Sequence, residues 1–209
     1  MPAEPLTGWM RGSLWFGLVA VTVYIGSWAI AGQIREGYDP VEQAISELFE
    51  LAAPWASRGL LTAGLALSGV AFLLLAPTLH RALPGRGWLG PALVVLAGVG
   101  TLGALAAPCS AGCPGFGTSP TDTWHVVSAG IGYGALASAP LAFGWRLRRD
   151  VPRLAGWSTS LGAVSVVLFA VYVSGVVPGA TGLWQRVFNT TADAWYLLIV
   201  VRLLRDDPR

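Results

Sequence analysis

The chain contains no lysine, and charge of either sign is scarce. Its 13 arginines and 11 acids make up only 11% of 209 residues. Soluble domains carry roughly 25% charged residues, so an ordinary water-soluble globule is excluded. The formal net charge is only +2, and the arginines are spread among polar stretches. That distribution argues against a nucleic-acid partner. There is no nucleotide-binding loop, no His-Glu-x-x-His, no Gly-x-Ser-x-Gly, no tandem repeat and no low-complexity linker. No cofactor is expected, and no metal signature is present.

What is abundant is apolar. Hydrophobic residues make up 54% of the chain and the mean hydropathy is +0.61. Apolar runs at 13–34, 57–80, 88–107, 122–145, 154–177 and 184–204 predict an all-α, polytopic bundle of six transmembrane helices. Together they make a single integral membrane domain over 1–209. The first run reaches roughly 33 Å at 1.5 Å per residue, enough to span the hydrocarbon core. A secretory signal is the competing reading, because Ala29-Ile30-Ala31 resembles a cleavage site. The length of the run and its weakly charged leader favour a retained helix. Ten tryptophans are many for this size, and some should anchor the interfaces. On the fourth span Gly130, Gly134 and Ser138 repeat a small residue every four positions, which predicts close approach of another helix.

Between the first two spans lies an amphipathic stretch. Asp39-Pro40 suits a helix start, and Val41, Ile45, Leu48 and Ala52 share one face of a helix over 41–55. Glu42, Ser46, Glu47 and Glu50 line the rest. This predicts a short interfacial helix in the first loop.

Six spans put both termini on one side. Arg11, Arg81, Arg86, Arg146, Arg148, Arg149, Arg153, Arg202, Arg205 and Arg209 fall at the termini or in loops two and four. Only Arg35, Arg58 and Arg186 fall near loops one, three and five. Ten against three predicts cytoplasmic termini in a multi-pass protein of the cell membrane.

That orientation faces a polar island outward. Residues 108–125 hold both cysteines, Cys109 and Cys113, and His125, with no basic residue but that histidine. Prolines and glycines forbid a helix through its first half. The next helix is expected to start near Thr121–Asp122, with Thr121 as cap. The two cysteines have three readings: a disulfide on an oxidising face, a metal site with Asp122 and His125, or two free thiols. On the sixth span Arg186, Asn189 and Asp193 share a face. A carboxylate at the depth of Asp193 costs about 2.5–3.5 kcal/mol on insertion scales unless it is partnered. Such residues face the bundle interior and mark function.

Each candidate also has a structural reading. Asp193 could pair with an arginine or with Asn189 and Thr190, His125 could bond a loop carbonyl, and Glu47 and Glu50 could be a solvated face. Arg186 could snorkel to headgroups or hold an anion.

Four short segments carry a resemblance. They are Ile45-Ser46-Glu47-Leu48, Pro108-Cys109-x-x-Gly112-Cys113-Pro114, Thr121-Asp122-x-x-His125 and Gly182-Leu183-Trp184-Gln185-Arg186. Together they resemble a family of small prokaryotic six-helix membrane proteins, DUF family 998, over nearly the whole chain. The resemblance implies six helices and singles out Ser46, Glu47, Asp122, His125, Gln185 and Arg186; it implies no activity. Asp193 lies outside that pattern. A fainter, architectural similarity is to integral-membrane terpene cyclases, which use an early acid and a late-helix acid to protonate a prenyl chain.

These readings converge on an outward-facing intramembrane pocket. As an enzyme, Glu47, Asp122, His125 and Asp193 would supply acid and base to an apolar lipid or isoprenoid substrate. Arg186, Asn189, Glu50, Trp124 and Trp184 would hold that substrate. As a non-enzyme, the same cluster would bind lipid or serve a transport or accessory role. The expected partners are membrane lipids and that apolar small molecule.

Overall fold

The computed structural model describes residues 4–206. Among the described residues there are six long helices and no strand. They are α1 (Gly8–Ile34), α2 (Trp55–Ala82), α3 (Leu89–Ala106), α4 (Pro120–Leu147), α5 (Pro152–Ser174) and α6 (Thr181–Arg205). All six are long and apolar enough to cross a membrane.

Each helix packs against its neighbours in sequence, and α6 returns to α1, so the helices form a ring. The short connections 83–88, 148–151 and 175–180 force α2–α3, α4–α5 and α5–α6 to pack as antiparallel neighbours. The ring is filled by large side chains. Phe72 meets Tyr196 at 4.9 Å and Phe143 meets Trp195 at 5.3 Å between ring centres. The Trp195 indole N–H donates to Ser158 at 2.9 Å, so its one polar atom is satisfied in the core.

Backbones touch where side chains vanish. A Cβ on Gly100 of α3 would lie 2.4 Å from the backbone of Gly132 on α4. This, and not the Gly130-Gly134-Ser138 stripe, is the close approach of α4. A Cβ on Gly130 would meet nothing within 4 Å, and one on Gly134 would touch only Phe169 at 3.7 Å. The stripe is a run of small residues at helical spacing, but the neighbour of Gly134 is an aromatic ring of α5.

The bundle has two distinct ends. Loops 83–88 and 148–151, the start of α1 and the end of α6 make one, here the terminus end. Loops 35–54, 107–119 and 175–180 make the other, the site end. Of the ten arginines expected together, nine lie at the terminus end, and Arg209 lies outside the described residues. Arg146 there is 9% exposed and gives its N–H groups to the Pro84, His80 and Leu83 carbonyls. It fixes loop 83–88 against α4.

Three local expectations are corrected. The helix over 41–55 does not form; only a single 3₁₀ turn, Ile45–Phe49, is present. Asp39 does cap a turn, accepting from the Val41 N–H at 2.7 Å. The turn cannot propagate, because α6 takes the backbone groups a helix would use. Arg186 holds the Pro40 and Gln43 carbonyls, and Gln185 accepts the Ile45 N–H at 2.6 Å. The cap of α4 is Ser119, whose hydroxyl accepts the Asp122 N–H at 3.0 Å, with Pro120 in the first turn. α5 stops at Ser174 because Gly175 turns left-handed at φ 60°.

Candidate functional site

The site end is built from three layers: a rim of tied loops, a cleft beneath it, and a small chamber deeper in the ring.

The rim is held by two arginines. Arg186 donates to the carbonyls of Pro40 at 2.7 Å, Gln43 at 3.0 Å and Gly182 at 2.9 Å, and to the Tyr38 hydroxyl. Burial pushes the Tyr38 hydroxyl above its ordinary range, with Arg186 opposing that shift. It therefore stays protonated and donates toward the Gln43 and Ala44 carbonyls. Arg35 donates to the Glu47 carbonyl and pairs with Glu50 at 2.7 Å. The second oxygen of Glu50 accepts the Gly112 N–H, so loop one and loop three are joined through one buried carboxylate. The Leu51 N–H to Cys109 carbonyl bond, 2.9 Å, joins them again.

Cys109 and Cys113 form a disulfide with Cα atoms 5.1 Å apart. That leaves neither sulfur as a metal ligand or free thiol. The bridge closes a tight ring that Gly112 and Cys113 enter with positive φ. The same loop satisfies Asp122. Its oxygens accept from the Ser110 N–H at 2.7 Å, the Ser110 hydroxyl at 3.0 Å and the Ser119 hydroxyl at 2.6 Å.

Below the rim a cleft of about 400 Å³ lies between α4 and α5. Such a volume suits a small molecule or a lipid chain segment. Its walls include Tyr133 on α4 and Phe169 and Tyr172 on α5, and loop one contributes Glu42 and Glu47. Val126, Gly130 and Val173 on its flanks are exposed, so the cleft opens on the side of the bundle. Glu47 accepts from the Ala44 N–H and the Gln43 amide, each at 2.8 Å.

The chamber adjoins the cleft across Ser46, His125, Ala129 and Tyr133, which line both. Every long helix except α5 contributes to it. Its volume is about 40 Å³. A single water needs roughly 10–15 Å³ on this measure, so the chamber holds a few waters and no chain. Asp193 and Asn189 line it from α6, with Tyr24, Ser68 and Thr101 opposite. The Asn189 amide donates to the Gln185 carbonyl at 3.0 Å. The Gln185 amide donates to the Tyr133 hydroxyl at 3.0 Å while its oxygen holds Ile45.

Asp193 differs from every other acid here. It is 1% exposed, and its Oδ2 has no hydrogen-bond partner. No arginine pairs with it among the described residues. α6 starts at Thr181, so Asp193 lies about 18 Å along the helix, deeper than the sequence runs implied. The Tyr196 hydroxyl, one turn on, is also unpartnered.

His125 faces both spaces with a defined tautomer. Its Nδ1 lies 2.9 Å from the Ala107 carbonyl and 3.3 Å from that of Ala104. A carbonyl cannot donate, so Nδ1 carries the hydrogen. In the neutral form of the ring the lone pair is then on Nε2. This local bond coexists with a place in both linings.

Of the residues singled out from sequence, Glu47 and His125 meet at the cleft, and His125, Asn189 and Asp193 meet at the chamber. Asp122, Glu50 and Arg186 lie in the rim with their polar groups engaged, and they line neither space. Trp124 is 58% exposed and Trp184 half-buried, and neither lines the pocket. Sequence reasoning missed Tyr24, Tyr133, Tyr172 and Phe169. A signal existed: tyrosine favours membrane interfaces, yet Tyr24, Tyr133 and Tyr196 fall well inside apolar runs.

No curated protein and no solved structure matches the chain. A family model described as "Protein of unknown function (DUF998)" matches residues 18–202. That match takes in α2 to α5 whole, most of α1 and α6, the disulfide loop and the chamber acid, and the chain therefore belongs to the DUF998 family of membrane proteins.

Proposed function

We propose that this protein takes an apolar lipid or isoprenoid into the lateral cleft and performs acid–base chemistry on it, with Asp193 as the proton carrier. The observation that carries this reading is the unpartnered Asp193 oxygen facing a chamber that adjoins a chain-sized cleft. A buried, unpaired intramembrane acid marks a functional site, and proton transfer is the chemistry a lone carboxyl offers there. A proton given to a carbon–carbon double bond leaves a cation on the chain. Loss of a proton from a neighbouring carbon to His125 Nε2 completes a redox-neutral cyclisation or isomerisation that needs no cofactor. Tyr133 belongs to both linings, and its rotation would join the two spaces. The surrounding aromatic faces would stabilise the cation.

The site end would face outward at the cell membrane, with both termini cytoplasmic, as the arginine distribution favours. Reporter fusions after Leu83 and after Ser119 should then label opposite sides; the same side for both would refute this orientation.

A second reading is binding without catalysis. The chamber's 40 Å³ favours it, because no chain atom reaches Asp193 without side-chain movement. The test reconstitutes the protein in vesicles with a panel of neutral linear isoprenoids and follows product by mass spectrometry. Conversion that falls at least about 100-fold in Asp193→Asn, with unchanged folding, supports the enzyme. Retained isoprenoid with no conversion in the wild type leaves only the binding reading.

A further inference from the structure

The charge around the cleft is one-sided. The cleft is lined by the carboxylates of Glu42 and Glu47, and by no arginine. The two nearby arginines of the rim are engaged: Arg186 on three carbonyls and Tyr38, Arg35 on Glu47's carbonyl and on Glu50. Glu42 is exposed and has no side-chain hydrogen bond. An anionic head placed here would meet two carboxylates and no arginine in the lining, which disfavours prenyl diphosphates and phosphate esters as occupants.

A second, independent feature points the same way. Tyr133 stands edge-on to both Phe169 and Tyr172, with ring centres 6.4 Å and 6.2 Å apart. Rings at right angles around a cleft present π-faces from more than one direction. Aromatic faces flanked by carboxylates are the arrangement that recognises ammonium groups. A negative, aromatic mouth above a slot that opens on the side of the bundle selects by head charge and by tail together.

We infer that the cleft is a binding site for a cationic amphiphile: an ammonium-type head seats among Glu42, Glu47 and the rings of Tyr133 and Tyr172, and an apolar tail leaves past Phe169 and Val173 toward the lipid. The inference rests on the cleft being the ligand site and names the chemical class that it takes.

The test uses the full-length protein in a non-ionic maltoside micelle, with native mass spectrometry reading the 1:1 complex. Three probes share one tail: tetradecyltrimethylammonium, tetradecyl phosphate and tetradecyl maltoside. The ammonium probe should bind at least about tenfold more tightly than the phosphate probe. Glu42→Gln, which breaks no side-chain hydrogen bond, should weaken the ammonium probe about threefold, and Glu42→Gln with Glu47→Gln about tenfold. Neither variant should change the maltoside probe. Equal binding of ammonium and phosphate, a preference for phosphate, or full ammonium affinity in the double variant overturns the charge inference alone. Failure of all three probes to form a 1:1 complex overturns the cleft as a ligand site as well.

Discussion

The rim and the floor of the site end use the same kinds of residue to opposite effect. In the rim, Glu50 accepts from Arg35 and Gly112, Asp122 accepts from Ser110 and Ser119, and Arg186 donates to three carbonyls and a hydroxyl. In the floor, Asp193 is equally buried and has an oxygen with no partner. The difference separates polar groups that hold the fold from one the fold has not used. A buried acid whose bonds are all made is fixed by its neighbours. One left bare lowers stability, and the fold has no structural return from it.

Mutations at the two levels should therefore diverge, and the rim should suffer most. Arg186→Met strands the Pro40, Gln43 and Gly182 carbonyls and frees loop one from α6. It should cost about 3 kcal/mol in denaturant unfolding in micelles. Arg186→Lys should recover only part of that, since one ammonium cannot reproduce the guanidinium's fork. A loss under about 1 kcal/mol for Arg186→Met would return the rim to an ordinary solvated surface.

Opening the Cys109–Cys113 bridge comes next. The loop is short, so replacing both cysteines by serine should remove about 2 kcal/mol. Because that loop presents the Gly112 and Ser110 amides to Glu50 and Asp122, the loss should couple to theirs. A double-mutant cycle with Asp122→Asn should be non-additive by at least about 0.5 kcal/mol. Strict additivity would mean that the bridge and the acid act separately.

Asp122→Asn alone should cost about 1–2 kcal/mol, because an amide nitrogen cannot accept one of the hydroxyl or N–H donors now aimed at the carboxylate. A neutral result would remove the contrast with Asp193.

The six helices were legible because apolar runs of span length have no other stable use in a membrane. The disulfide was one of three open readings, and spacing alone could not choose among them. The helix over 41–55 was misread because its apolar spacing is real, while its backbone groups are claimed by Gln185 and Arg186 from 140 residues away in sequence. Local periodicity cannot register a distant competitor. The same limit applied at Asp122 and Asp193. Both read as buried acids near the site end, and the donors from Ser110 and Ser119 distinguish them. The tyrosines went unnoticed because a single aromatic in an apolar run resembles core packing until three of them meet around one acid.

The most direct test of this contrast is the equilibrium unfolding free energy of Asp193→Leu measured beside Asp122→Asn in the same micelles. If Asp193 is an unused acid retained for function, Asp193→Leu leaves stability unchanged or raises it by up to about 2 kcal/mol, because it replaces a buried polar group that lacks a full set of hydrogen bonds with an apolar side chain of similar volume. If Asp193→Leu instead unfolds the protein as readily as Asp122→Asn, or more so, Asp193 is a structural residue like those of the rim, and the acid–base reading of the chamber fails.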